Sequence, residues 1–299
     1  MAEDIAKRFR IAFPILRLLQ YLVPQGLATS LLRRSMRVVK LEEGIAHRRQ
    51  LVEGVACDWA IPEGSTDEAI LIYLHGGGFV MPQTPNHLRM VARIAKEMGV
   101  KALLVDYRVA PAHPFPAALE DCRRVFGWVR SQGFSAKQIV LAGDSAGGNL
   151  ALSLLMMLRK EGEELPAGIA SLSAVTDLTP EKPTRVGFRD PILPGRSMDY
   201  YRRSYLGSAD PHSPLISPLL GDFTDFPPML IHVGDEEILR EDSIRLAERA
   251  KGAGVALRFE IFPRMWHVWQ LFPGLPEARR SLMEISDFLK NCLEAARAG

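Results

Sequence analysis

The sequence predicts an α/β fold: a doubly wound, mainly parallel sheet of eight strands, with helices on both faces and a helical cap. Three observations carry this. Short apolar runs of strand length alternate with amphipathic segments of helix length along most of the chain. Two of the strand-like runs pass directly into glycine-rich turns, as strands do where they feed a helix or a loop at the edge of such a sheet. With 299 residues, 47% of them hydrophobic, the chain can also bury a large core.

Taken in order, residues 36–61 hold two extended runs around Glu43-Gly44, which predicts an antiparallel pair at one sheet edge. Further strands are expected at 70–74, 102–107, 139–142, 169–175, 229–233 and 255–262, and helices at 87–97, 117–130, 149–160, 243–251 and 278–295. Between Asp177 and Pro228 lie about fifty residues with prolines at both ends and an amphipathic patch over 197–206, too long for a simple crossover. At the carboxyl edge of a parallel sheet, such a connection is expected to form a lid. Ahead of the sheet, Ile5, Phe9, Ala12, Phe13, Leu16 and Leu19 recur near helical spacing, with Lys7, Arg8, Arg10 and Arg17 around the rest of the turn. This predicts an amphipathic helix lying on the body or the cap. The expected organisation is therefore N-terminal cap helices and the lead into the sheet over 1–50, a catalytic domain over 51–177 and 213–299, and a cap insertion over 178–212.

A net charge of +2 spread over 24% charged residues leaves no basic stripe for nucleic acid, so the expected partner is a small, largely uncharged molecule. The apolar stretch 11–23 follows Glu3 and Asp4, is interrupted by Pro14, Arg17 and Gln20, and leads to no small-residue cleavage site. It reads as mature protein, and no stretch is long or pure enough to insert stably across a bilayer. Cys57, Cys122 and Cys292 are too widely spaced for a disulfide framework or a ligand cluster, and are expected as buried free thiols of a cytoplasmic protein.

The chemistry lies in the two turns. Gly143-Asp144-Ser145-Ala146-Gly147 follows the apolar run 138–142, and His75-Gly76-Gly77-Gly78 follows 69–74. A sharp strand-to-helix turn that lifts a serine hydroxyl clear of a sheet needs small neighbours on either side. A glycine run lets bare backbone N–H groups approach a developing oxyanion. The pair predicts a serine hydrolase. Ser145 then needs a base, and the base needs an acid to fix its tautomer, in the chain order serine, acid, histidine. Of seven histidines, His267 is favoured because it follows the last strand and precedes the C-terminal helix. His232 lies inside an apolar strand and reads as core, while His75 is expected to shape the glycine loop by hydrogen bonding. Asp235, Glu236 and Glu237 all follow the strand 229–233, where acids also suit the N-terminus of the coming helix. At least two of the three are therefore expected to be structural.

Beyond the two turns, the chain carries Phe79 after the glycine run, Asp106-Tyr107-Arg108-Val109-Ala110-Pro111, His113-Pro114-Phe115-Pro116-Ala117, and Gly148-Asn149 after the serine turn. With these motifs the sequence, from about residue 69 onward, resembles the bacterial hormone-sensitive-lipase-like family of α/β-hydrolase esterases. The resemblance implies Ser145 as nucleophile, His267 as base, and the N–H groups of Gly77, Gly78 and Ala146 as the oxyanion hole. Setting the family's acid motif on residues 233–239 places the acid at Glu236, where the family usually has aspartate; a turn shifted by one residue would give Asp235 instead. The family often has Gly-Phe after the histidine, whereas this chain reads Val268-Trp269 with Trp266 before it. These aromatics are expected either to narrow the substrate pocket or to pack against the cap.

The leading expectation is a carboxylic-ester hydrolase acting on short-chain acyl esters through an acyl-enzyme, with no metal or organic cofactor. An amidase or deacetylase with the same triad is the alternative, and a non-catalytic ligand receptor on the same fold is a third. The last strand, 255–262, can pair with its copy in a homodimer or be covered by the C-terminal helix.

Overall fold

The computed structural model describes residues 39–181, 190–193 and 195–298, together with a few single positions between 27 and 36. The expected N-terminal amphipathic helix lies outside the described residues. Eight strands form one sheet: β1 (Ile45–Val52), β2 (Val55–Pro62), β3 (Thr66–Leu74), β4 (Val100–Asp106), β5 (Ile139–Asp144), β6 (Gly168–Leu172), β7 (Met229–Gly234) and β8 (Leu257–Phe262), in the order β1-β2-β4-β3-β5-β6-β7-β8. The first pairings, β1 with β2 and β2 with β4, are antiparallel, and all others are parallel. Among the described residues, six helices accompany them: α1 (Pro85–Met98), α2 (Ala117–Ser131), α3 (Ala146–Lys160), α4 (Gly195–Leu206), α5 (Arg240–Gly252) and α6 (Pro276–Ala298). Among the described residues, no helix is long and apolar enough to cross a membrane.

The edge hairpin exists, but it turns at Glu53-Gly54 rather than Glu43-Gly44. Both dipeptides occupy turns. Gly44 has φ 78° and its carbonyl accepts from Glu63 N–H, so that turn leads the chain into β1. The true hairpin turn takes positive φ at both of its central residues, 48° at Glu53 and 79° at Gly54, the twist that suits a two-residue β connection.

Strand pleating explains why the central strands are apolar over their inner stretches, 69–74 of β3 and 102–105 of β4. Ile70, Ile72 and Leu74 of β3 pack with α2, α3 and α5, whereas Leu71 and Tyr73 face α1 and α6. The same alternation sorts Leu103 and Val105 from Ala102 and Leu104 on β4. With helices on both faces, each side chain over 69–74 of β3 and 102–106 of β4 is buried, so no polar alternation survives there.

The chain leaves β3 toward β4 on one side and returns to β5 on the other. The carboxyl ends of β3 and β5 thus flank a point where the winding reverses, the place where open α/β sheets bind ligands. Each of the two glycine-rich turns begins at one of these ends.

Candidate active site

Ser145 sits between β5 and α3 with φ 52° and ψ −117°, a strained conformation for a residue with a side chain. Its N–H donates to Leu172 O at 2.8 Å, which holds the turn against β6. The glycines are required by close approach: a Cβ on Gly147 would fall 2.0 Å from Leu74 O, and one on Gly143 would fall 2.4 Å from Gly147 O. The helix begins at Ala146, directly after the serine. Asn149, one turn into α3, donates its amide to Val175 O and Ile216 O and accepts from Ser153, pinning the loop after β6 beside the serine.

The glycine loop is buttressed by the second motif. The His75 ring stacks on Tyr107 with centroids 4.1 Å apart, and the Tyr107 hydroxyl donates to His75 O at 2.6 Å. His75 Nδ1 lies 2.7 Å from Gly76 O, so His75 does shape the loop by hydrogen bonding. Ala110 N–H donates to Phe79 O. Beneath the loop is Asp144, whose carboxylate would collide with any Cβ on Gly76. Burial would raise the pKa of Asp144, but His87 at 3.5 Å and the Tyr73 hydroxyl at 2.9 Å outweigh it and hold the carboxyl below its usual range. Gly77 and Gly78 line the same cavity as Ser145, and Ala146 is buried behind it.

His267 Nε2 lies 2.9 Å from Ser145 Oγ. On its other side, Nδ1 faces Glu237 Oε2 at 3.5 Å. The acid expected at Glu236, with Asp235 as the alternative, is thus corrected to Glu237. The reason lies in the turn after β7. Asp235 N–H donates to Phe262 O and Glu236 N–H to Met265 O, so both residues still run along the end of β8 and its exit, half-buried. The chain turns inward only at Glu237, which is fully buried beneath the imidazole. One further acid supports this turn: the buried Asp190 accepts from Ile192 N–H and Leu193 N–H through Oδ1 and from Ile238 N–H through Oδ2.

Burial alone raises the pKa of Glu237, offset by His267 and by the Ser173 hydroxyl but reinforced by Asp190, and the net shift is upward. Burial alone would lower that of His267; the Glu237 carboxylate, and more weakly Asp190 and Asp144, outweigh it, so this shift is also upward. The pair suits a base that must become imidazolium beside a buried anion.

The cavity over Ser145 has a volume of about 630 Å³. Its walls include Val175, Leu178 and Leu193, with Met198, Tyr201 and Arg202 from α4. The amphipathic patch in the long connection is therefore a helix, and it covers the serine as expected of a lid. Phe79 of the glycine loop stacks on Tyr205 of α4 at 3.7 Å, and Phe115 N–H donates to Tyr205 O. Trp266 and Trp269 do not reach the cavity. Both are fully buried with Phe262, Met265, Leu275 and Ala278, and the residues there that do line the cavity are Val268, Leu271 and Phe272.

His232 is a core residue, with Nδ1 2.9 Å from Ser281 Oγ. Burial and then Arg258 and Arg280 push its pKa down to about 3. Its ligand atoms lie within 4.8 Å of those of Glu260 and Glu284, the one grouping of metal-ligand type among the described residues. Arg258 and Arg280 already engage those carboxylates, which makes this an ion-pair network away from the cavity.

A nucleophilic serine on a strand–helix turn, a histidine within hydrogen-bond reach and a buried carboxylate behind it define a serine hydrolase, here with Glu237 as the acid. Residues 71–271 match the model of an α/β hydrolase fold family. An acetyl-hydrolase of Streptomyces hygroscopicus is 37% identical over 236 residues, 78% of this chain and 79% of the relative. A solved esterase of the bacterial hormone-sensitive lipase family superposes with a TM-score of 0.87 at 33% identity over 98% of both chains. A solved hormone-sensitive lipase from a metagenome library does so with a TM-score of 0.89 at 31% identity, also over 98% of both. The chain belongs to the bacterial hormone-sensitive-lipase-like family of α/β-hydrolase esterases and lipases, and acts on ester bonds.

Proposed function

We propose that the protein is a carboxylesterase for short-chain acyl esters, working through an acyl-enzyme. Ser145 Oγ attacks the ester carbonyl carbon while His267 Nε2 takes its proton. Glu237 stabilises the imidazolium, which gives that proton to the departing alkoxide oxygen. Water then attacks the acyl carbonyl, His267 accepts its proton and returns it to Ser145 Oγ, and the acid leaves. The N–H groups of Gly77, Gly78 and Ala146 hold the oxyanion. In support, none of the three donates a hydrogen bond to a described residue, and the first two belong to residues lining the cavity.

The observation that carries the short-chain reading is the limited size of the cavity beneath α4. Met198 and Tyr201 of α4 form part of its wall, with the Tyr201 ring against Gly78, and a cavity of about 630 Å³ suits a small ester better than a triglyceride. The acetyl-hydrolase relative agrees with a short acyl group. Comparing kcat/KM for matched ester and amide substrates from acetyl to dodecanoyl tests this; a preference for the amides would move the reading to an amidase or deacetylase. The domain organisation belongs to the same proposal: residues 1–50 supply N-terminal cap helices and the lead into the sheet, 178–212 a cap insertion, and 51–177 with 213–299 the catalytic body.

Two further expectations accompany it. Strand β8 ends the sheet and is half-exposed along most of its length, which supports pairing with a second copy, testable by light scattering. The three cysteines are free and buried, in keeping with a cytoplasmic setting.

A further inference from the structure

Ser173 is the first residue after β6, and the reaction above gives it no task. Its φ is 48°, a left-handed conformation uncommon for a residue with a side chain. Ser145 at 52°, Val268 at 49° and Phe79 at 64° share it, so four such residues meet around one site. Strained backbone of this kind persists where surrounding structure over-determines it, often for function.

The contacts of Ser173 say what that function is. Its N–H donates to His232 O on β7 at 2.9 Å, anchoring it to the strand that leads to the acid. Its hydroxyl donates to Glu237 Oε2 at 2.8 Å, and this is the same oxygen that faces His267 Nδ1. Val268 N–H in turn points at Ser173 Oγ at 3.4 Å. A ring closes: Ser173 to Glu237, Glu237 to the His267 ring, His267 through its peptide to Val268, and Val268 back to Ser173.

We propose that Ser173 is a positioning residue of the triad, whose hydroxyl clamps Glu237 Oε2 and the Val268 amide together so that the carboxylate stays aimed at the His267 ring. The need is geometric. At 3.5 Å the histidine–carboxylate contact is already long for a hydrogen bond, and a glutamate has one more rotatable bond to drift about than an aspartate. A short hydrogen bond from a fixed serine removes that freedom. An O–H donor also favours the ionised carboxylate, opposing the effect of burial. Ser173 donates the hydrogen bond to Glu237 Oε2, while His267 Nδ1 faces the same oxygen at 3.5 Å.

The inference rests on the triad, which Glu237→Gln tests separately. The experiment uses Ser173→Ala and Ser173→Gly, since glycine accepts the left-handed backbone at no cost and separates the hydroxyl from the strain. Turnover of p-nitrophenyl butyrate is measured per site titrated with a fluorophosphonate, across pH. We expect kcat to fall by about tenfold to a hundredfold in both variants, as for other supporting partners of site residues. KM should change little, and the acid limb of kcat/KM should move to lower pH, because a less well held Glu237 supports the imidazolium less. Retention of kcat within about twofold, a loss with the acid limb unmoved, or rescue by glycine alone would each overturn the proposal. So would failure of both variants to fold, which would assign Ser173 to the core.

Discussion

The ring of Tyr201 lies so close to the backbone of Gly78 that a Cβ on Gly78 would fall 2.7 Å from it. One contact thus couples the helix of the long insertion to the loop that carries the proposed oxyanion donors. Gly78 also has φ 60°, so a side chain there is opposed twice, by backbone strain and by the ring.

Gly78→Ala is therefore expected to displace either the loop or α4. With an oxyanion donor misplaced, kcat should fall by about a hundredfold or more. Combining it with Tyr201→Ala should restore part of the loss if the ring is the obstacle. Steady-state kinetics of the single and double variants checks this, and equal activity in Gly78→Ala and wild type would remove Gly78 from the oxyanion hole.

The acid is tested by three amide substitutions made in parallel. Glu237→Gln should lower kcat by roughly ten-thousandfold, because the isostere keeps the shape but no longer selects the tautomer or stabilises the imidazolium. Glu236→Gln and Asp235→Asn should stay close to wild type, since both carboxylates sit in the half-buried outer part of the turn. A severe loss in either of the latter, with Glu237→Gln active, would return the acid to the position inferred from the family motif.

That misplacement shows where the sequence was legible. Ser145 was readable because everything its turn requires, a buried strand, two glycines and a helix start, is contiguous in the chain. His267 was readable from its place between the last strand and the C-terminal helix. The acid depends instead on how far the turn after β7 follows Met265, thirty positions away, before bending inward, and three adjacent carboxylates give no local sign of it. Ser173 was missed for a similar reason, since a serine in an apolar run looks like any small core residue until its φ is known. The aromatic pair was ambiguous because apolarity marks burial without saying on which side: Trp266 and Trp269 face the C-terminal helix, not the substrate. The hairpin was placed one glycine turn too early, as Glu43-Gly44 and Glu53-Gly54 carry the same turn chemistry.

The pH dependence follows from the electrostatics of the pair. His267 must be neutral to act as base, and its pKa is raised net by Glu237 against the effect of burial. Below that pKa the base is occupied by a proton, so kcat/KM should rise with pH through an acid limb lying above the ordinary histidine value of about 6.5. In Glu237→Gln the main supporting charge is gone and only the weaker Asp190 and Asp144 still oppose burial, so the residual activity should show its limb at lower pH. A limb that stays in place in this variant would mean that the titrating group is not His267.

The lid reading makes a prediction about chain length. Met198 and Tyr201 of α4 wall part of a cavity of limited size, so kcat/KM should be greatest between acetyl and hexanoyl esters and fall toward dodecanoyl. Met198→Ala, which opens the wall without touching the glycine loop, should shift the optimum to longer acyl groups. An activity that kept rising through dodecanoyl esters in the wild type, with activation at a lipid interface, would favour a true lipase.

The last prediction concerns the unit formed by Ser145 and His267, joined by a 2.9 Å contact. Ser145→Ala removes the nucleophile and His267→Ala removes the group that takes its proton, so either change disables the same step. Each alone should cost about a thousandfold or more in kcat, and the double variant should be scarcely worse than either. Independent contributions would instead multiply. Turnover of p-nitrophenyl butyrate and fluorophosphonate labelling of the four proteins distinguish the cases: labelling should vanish in both Ser145→Ala proteins and be slowed severely in His267→Ala. Retention of more than about a tenth of wild-type turnover in either single variant would overturn the triad, since residual catalysis by the oxyanion hole and binding alone lies far below that level.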